Sequence, residues 1–139
     1  TPGAAVLAAI ENVNPAIPST LDAAVLSKMG ERGQFGKALV EGPIDIDCTL
    51  SREAARRKGL ASPVTGEADI YLVPEIDSGY LLAEALVYFG GMSTAGALLG
   101  SARPVILSLP CLSVEERVVE IAVACLLAGN QNGESCRNL

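Results

Sequence analysis

The chain has 139 residues, half of them hydrophobic, a formal net charge of −6 and no histidine. That is one domain's worth of sequence with enough apolar content to bury a core, and its acidic balance without basic clusters excludes nucleic acid and an anionic membrane surface as expected partners. No apolar run reaches membrane-spanning length, and Cys48, Cys111, Cys125 and Cys136 share no C-x-x-C spacing, so neither a metal site nor a disulfide framework is expected and a cytoplasmic location is the simplest.

In chain order, Ala4 to Ile10 is apolar and fits a strand or a helix by pattern alone. The segment 12–20, with its Asn and Pro residues, reads as a loop. Ser19 or Thr20 is then expected to cap a helix with Leu21, Ala24 and Val25 on its apolar face, ended by Gly30 or Gly33. Lys37 to Gly42 predicts a short strand broken by Gly42-Pro43. Ser51 predicts the cap of a helix from Arg52 to Lys58, stopped by Gly59, with Arg56, Arg57 and Lys58 forming a solvated, cationic end that suits the dipole. Ala68 to Pro74 predicts a buried strand. A long apolar helix follows from about Tyr80 to Phe89, capped by Asp77 or Ser78, and Thr94 to Gly100 adds one more apolar run. The Ser78-Gly79 turn offers backbone N–H groups to an anion such as phosphate; an ordinary cap with a permissive glycine explains it equally.

The most informative stretch is 104–116. Val105, Ile106 and Leu107 are a β-branched apolar run too short for a helix, which suits a strand covered on both faces. Pro110 stops the strand. Ser113 stands three residues before Glu116, the capping-box spacing, and Val114 to Leu126 continue with helical periodicity to Gly129. Cys111 thus falls two residues before a helix N-cap. The unpaired N–H groups and the positive dipole end there favour a thiolate, the reactive form of cysteine. The bland alternative is a small apolar residue in a tight turn. Cys125 falls on the apolar side of the last helix and is expected in the core. The tail 129–139 is polar, with Cys136 exposed.

Strands alternating with helices imply an α/β fold with a mostly parallel sheet, whose ligands collect at the carboxyl ends of strands. Three elements share that topological position: Gly42-Pro43, Pro74 to Gly79, and Ser108 to Ser113. Segments 68–74 and 104–108 are expected to be neighbouring or near-neighbouring parallel strands with their C-terminal ends on one edge.

Several stretches resemble the phosphate acetyltransferase and phosphate butyryltransferase family. They are Asp22 to Met29 with Arg32, Gly33 and Gln34, then Val40-Glu-Gly-Pro-Ile44 with Asp47, and above all Ser62 to Glu75 continuing to Ser78 and Gly79. The resemblance runs to about residue 128. It implies the three-layer α/β/α, isocitrate/isopropylmalate dehydrogenase-like fold, and it corresponds to the later, C-terminal part of a longer polypeptide. One departure is informative. The transferases carry a Ser-Arg pair after the strand equivalent to Pro104–Ser108, and here Leu109 and Pro110 stand in its place, followed by Cys111. Proline cannot replace arginine's bidentate fork.

The same fold with a cysteine in this loop resembles the alpha subunit of component C of the glycine/sarcosine/betaine reductase complex. That resemblance implies an acetyl thioester on Cys111 and release of acetyl phosphate by inorganic phosphate. Leu112, Ser113 and Val114 would supply oxyanion N–H groups. Ser78 and Gly79, with Arg103, would bind the phosphate. No cofactor beyond that co-substrate is implied. The implied partners are the component C beta subunit and selenoprotein A, with a homo-oligomer possible. Two other functions stay open: a conventional phosphate acyltransferase using acyl-coenzyme A, and a non-catalytic assembly domain.

Overall fold

The computed structural model describes residues 1–108 and 112–131. The chain forms two compact units, Thr1–Gly79 and the residues from Tyr80 onward, and each is described by itself.

The first unit is built on a parallel sheet of order β2-β1-β3. The central strand β1 (Gly3–Leu7) pairs with β2 (Leu39–Ile44) and with β3 (Ile70–Leu72), both parallel. Ala5, Val6, Leu7 and Ala8 are buried in succession, as expected of a strand covered on both faces. Of the 4–10 run, residues 4–7 are strand and 8–10 lie beyond it. Helix α1 (Pro18–Glu31) packs on β2 and β1, with Ala23 fully buried. Small residues allow this approach: a Cβ on Gly42 would stand 2.8 Å from Val6 Cβ and 3.1 Å from Ala23 Cβ.

Several local expectations change. Helix α1 starts earlier than predicted, with Pro18 in its first turn and Ile17 as an N-cap lacking a side-chain bond. Thr20 is instead buried, and its hydroxyl donates to the carbonyls of Asn14 (3.0 Å) and Ile17 (2.8 Å). Strand β2 is not broken at Gly42-Pro43 but continues to Ile44, whose carbonyl accepts from the Ala8 N–H at 3.0 Å. Strand β3 is three residues long, pairs on one side only, and is exposed.

Two short helices follow β2. In α2 (Ile46–Leu50) the Asp45 carboxylate caps the Ile46 N–H, and in α3 (Arg52–Arg57) the Ser51 hydroxyl accepts from the Ala54 N–H at 3.2 Å, as its sequence position predicts. Gly59 closes α3 with φ +75, a left-handed conformation that suits glycine.

Helix α4 (Ile76–Tyr88) opens in the first unit. The expected caps Asp77 and Ser78 are not the acceptors; Glu75 is, taking the Asp77 N–H (2.7 Å) and the Ser78 N–H (2.8 Å).

In the second unit, β4 (Ala97–Leu98) and β5 (Val105–Ile106) form an antiparallel ladder that packs with α5 (Val114–Gln131). The 104–108 run is therefore not the buried parallel strand expected. Pro104 has no N–H with which to begin a ladder, and the two residues that do pair are exposed. At Gly96 an added Cβ would lie 2.1 Å from the Leu107 carbonyl oxygen, so only glycine admits this approach. The Ser113–Glu116 capping box forms as predicted: Glu116 N–H donates to the Ser113 hydroxyl (3.2 Å), and Ser113 N–H to the Glu116 carboxylate (2.8 Å). Cys125 is exposed rather than in the core. Val118, Ile121 and Leu126 are exposed too, so α5 is apolar around much of its circumference and periodicity alone does not say which side turns inward. Among the described residues no helix is long and apolar enough to cross a membrane.

Candidate active site

In the first unit the order β2-β1-β3 puts successive strands on opposite sides of β1. The carboxyl ends of β1 and β3 therefore border a topological switch point, where open α/β sheets bind ligands. Glu11 follows β1, Asp45, Asp47 and Cys48 follow β2, and Glu75 to Gly79 follow β3. Of the three elements expected to share this position, Gly42-Pro43 lies inside β2 near its carboxyl end, and Pro74–Gly79 follows β3. Half of the Ser108–Ser113 loop (Leu109, Pro110 and Cys111) lies outside the described residues, and so does Cys136.

The carboxyl edge carries a charge cluster that the sequence does not announce. Lys58 was expected in a solvated run, yet its ammonium reaches Glu11 (2.7 Å), Asp45 (3.0 Å) and Asp47 (2.9 Å), and its side chain is 32% exposed. Residues 11, 45 and 58 are far apart in sequence, and only the sheet brings them together. Hydrogen bonding to Lys58 holds the Asp47 carboxyl below its ordinary value, and bonding to Glu11, Asp47 and Asp45 raises the Lys58 pKa.

Beneath them lies Cys48, fully buried, with its thiol 3.7 Å from Glu11 Oε1. Burial, then the neighbouring Asp47 carboxylate, pushes that thiol up to about 11. Ligand atoms of Glu11, Asp47 and Cys48 lie within 4.8 Å of one another, a spacing that metal ions use, but the Lys58 ammonium already supplies the cation. A thiol held neutral is no nucleophile. At pH 7 its thiolate fraction is about 100-fold below that of a thiol at the ordinary value of 9.0. Alkylation with iodoacetamide followed by peptide mapping should therefore label exposed Cys125 far faster than Cys48; comparable rates would refute this.

The phosphate candidates look different in place. The Ser78 N–H and hydroxyl both donate to the Glu75 carboxylate, and the Gly79 N–H donates to the Glu75 carbonyl (3.2 Å). Those contacts hold Glu75 below the usual carboxylate range, and they occupy the donors assigned to phosphate. Arg103 is exposed in the turn before β5.

In the second unit Leu112 is buried, while Ser113 and Val114 are exposed at the start of α5. Glu120, on the same helix, is buried to 1% exposure. Its Oε1 accepts from the Gly96 N–H (3.4 Å), and its Oε2 from the Ser108 hydroxyl. Among the described residues no lysine or arginine pairs with it, and burying a carboxylate without a counter-ion is costly. The sequence signal for this pair is weak: a single glutamate among Val118, Val119, Ile121 and Ala122.

Comparison with known proteins gives the site its context. The family model described as phosphate acetyl/butaryl transferase matches residues 1–125. The phosphate butyryltransferase of Clostridium acetobutylicum is 44% identical over 130 residues, 94% of this chain and 43% of that protein. The phosphate acetyltransferase of Thermotoga maritima is 43% identical over 128 residues, 92% of this chain and 44% of that protein. The crystal structure of a branched-chain phosphotransacylase from Enterococcus faecalis V583 superposes with a TM-score of 0.78 at 35% identity, over 89% of this chain and 44% of that one. The chain thus spans under half the length of these relatives. All three carry the names of phosphate acyltransferases, and none that of a reductase-complex subunit. With a match over most of its length and a shared α/β architecture, the chain belongs to the phosphate acetyl/butaryl transferase family.

Proposed function

We propose that this chain provides the later part of a phosphate acyltransferase that moves a short acyl group between coenzyme A and inorganic phosphate. The observation that carries the proposal is the family match across residues 1–125, supported by two named classes of relative, acetyl and butyryl. This conventional reading replaces the reductase-complex role as the first choice. The thioester on Cys111, the component C beta subunit and selenoprotein A rest on the loop cysteine and the replaced Ser-Arg pair, and the relatives' names lend them no support. The acyl chain is short and unbranched or branched, as the relatives' names suggest.

The test uses the full-length protein with acetyl, butyryl or isobutyryl phosphate and coenzyme A, following thioester formation. Activity with at least one acyl phosphate is expected, and activity is expected to survive Cys111→Ser. No thioester from any of the three would overturn the reading. Loss of activity in Cys111→Ser, with acyl label trapped on Cys111 of the unaltered protein, would restore the covalent mechanism.

A further inference from the structure

Strand β2 ends the first unit's sheet, with β1 as its one neighbour among the described residues. Such an edge presents N–H and C=O groups that can pair with another chain. The second half of β2 is buried, but Leu39 is 42% exposed, and Val40 and Glu41 are half-buried. The Leu39 N–H donates to the Pro2 carbonyl at 2.9 Å, so residues 39 and 41 turn their backbone groups toward β1 and residues 38 and 40 turn theirs outward. The Val40 carbonyl accepts from the Ser27 hydroxyl at 3.2 Å, and the Ala38 N–H turns back to the Phe35 carbonyl at 3.3 Å. The Val40 N–H and the Ala38 carbonyl face out. Lys37 and Glu41 flank Leu39, two residues before it and two after, and neither has an ion pair among the described residues. Beside this edge lies a cavity of about 220 Å³ lined by Glu31, Glu41, Ser27, Leu39, Ser62 and Val64.

We propose that the exposed half of β2 pairs with β2 of a second copy of this chain, antiparallel, about a two-fold axis at Leu39. Residue 39 then faces residue 39, and Lys37 of each copy faces Glu41 of the other, beside the acidic cavity. The Val40 N–H of each copy donates to the Ala38 carbonyl of the other. The contact uses the same patch on both copies and closes on itself, so assembly through it stops at two. Charge selects this occupant. A basic extended peptide would answer Glu31 and Glu41 but would oppose Lys37. A strand carrying both charges in reverse order answers both, and the antiparallel copy is that strand. Opposite charges across a strand pair attract, and like charges there repel. Five residues a side make a small interface, so the association is weak, rises with concentration and falls with added salt.

The test is mild oxidation of the full-length Leu39→Cys protein, with peptide mapping of the products. Residues facing each other at a position without ladder bonds have Cα atoms about 4.5 Å apart, within disulfide reach. A disulfide joining position 39 of two copies is therefore expected. Lys37→Cys should give no such link, since in this register the two copies of residue 37 stand roughly 14 Å apart. In the Leu39→Cys protein, Lys37→Glu or Glu41→Lys should each lower the yield of the link by about 10-fold, and the two together, which exchange the charges, should restore it. Lys37 is exposed, so its variants keep the fold, and thermal melts check the others. The readout is a covalent link rather than thioester formation, so it is independent of the acyltransferase reading. No link at position 39, equal yields at 37 and 39, or an exchanged pair that fails to restore the link would each overturn the proposal. So would a dimer by sedimentation that leaves position 39 unlinked, because another face would then hold the copies together.

Discussion

Ile44→Ala is expected to cost about 2–5 kcal/mol, the range for truncating a large aliphatic side chain in a core that relaxes only partly. Ile44 is fully buried and is the largest of the fully buried side chains among the described residues. It ends β2 opposite Leu7 of the central strand, and its carbonyl holds the Ala8 N–H at 3.0 Å. Truncation opens a void where that side chain is buried, without disturbing the ladder bond. Total stabilities of about 5–15 kcal/mol make such a loss severe. Urea denaturation should show a lower midpoint at an unchanged slope, since the surface exposed on unfolding barely alters. A midpoint within error of the unaltered protein would show that the β1–β2 packing is not what the burial indicates. The effect should reach the site as well, because Asp45 and Asp47 follow Ile44 directly.

Lys58→Met is expected to destabilise the protein at neutral pH, and to do so less as the pH falls. Methionine keeps much of the apolar stem but removes the cation shared by Glu11, Asp45 and Asp47. In the unaltered protein, Asp47 is held below its ordinary 3.8, so its contribution is present above that pH and fades as pH falls through the depressed value. The Lys58 pKa is raised above its ordinary 10.5, so its contribution is complete below that pH and fades only as pH rises beyond it. The Lys58–Asp47 pair is therefore intact from about pH 4 to about pH 10.

Without Lys58 the three carboxylates face one another with no cation between them, and the interaction that lowers Asp47 is lost. The gap in urea midpoint between the two proteins should be wide at pH 7 and narrow at pH 3.5. A gap that stays constant would show that Lys58 acts through packing alone. Added salt should narrow it only in part, because the lysine is about two-thirds covered. On the alkaline side Cys48 acts first. Its folded-state value of about 11 exceeds the ordinary 9.0, so stability should decline as pH rises above 9, and Cys48→Ala should remove that decline.

These two residues show how the site is assembled. The core strand sets where the chain leaves the sheet, and the cation gathers what leaves it. Neither step is visible one residue at a time. The same is true of Glu120, whose partners Gly96 and Ser108 come from the same end of a short antiparallel ladder, twelve residues apart in sequence. A glutamate in an apolar run reads as a polar interruption until the fold supplies its donors.

What the chain determines by local chemistry alone is its punctuation and its class. The Ser51 cap, the Gly59 stop, the Ser113–Glu116 capping box and the apolar run of β1 depend on residues within a few positions of one another, where spacing and hydrogen-bond valence decide the outcome. Alternating strands and helices imply a parallel sheet for the same reason. Burial and partnership were decided by the tertiary structure. β3 has an apolar sequence yet is exposed, while β2, equally at a sheet edge, is buried along its second half, and Cys125 shares an apolar helix face yet lies outside. Lys58, read as a solvated helix end, became the centre of a three-carboxylate network. Those outcomes depend on which distant segments meet, and apolar periodicity reports only that a face can be buried, not what arrives to cover it.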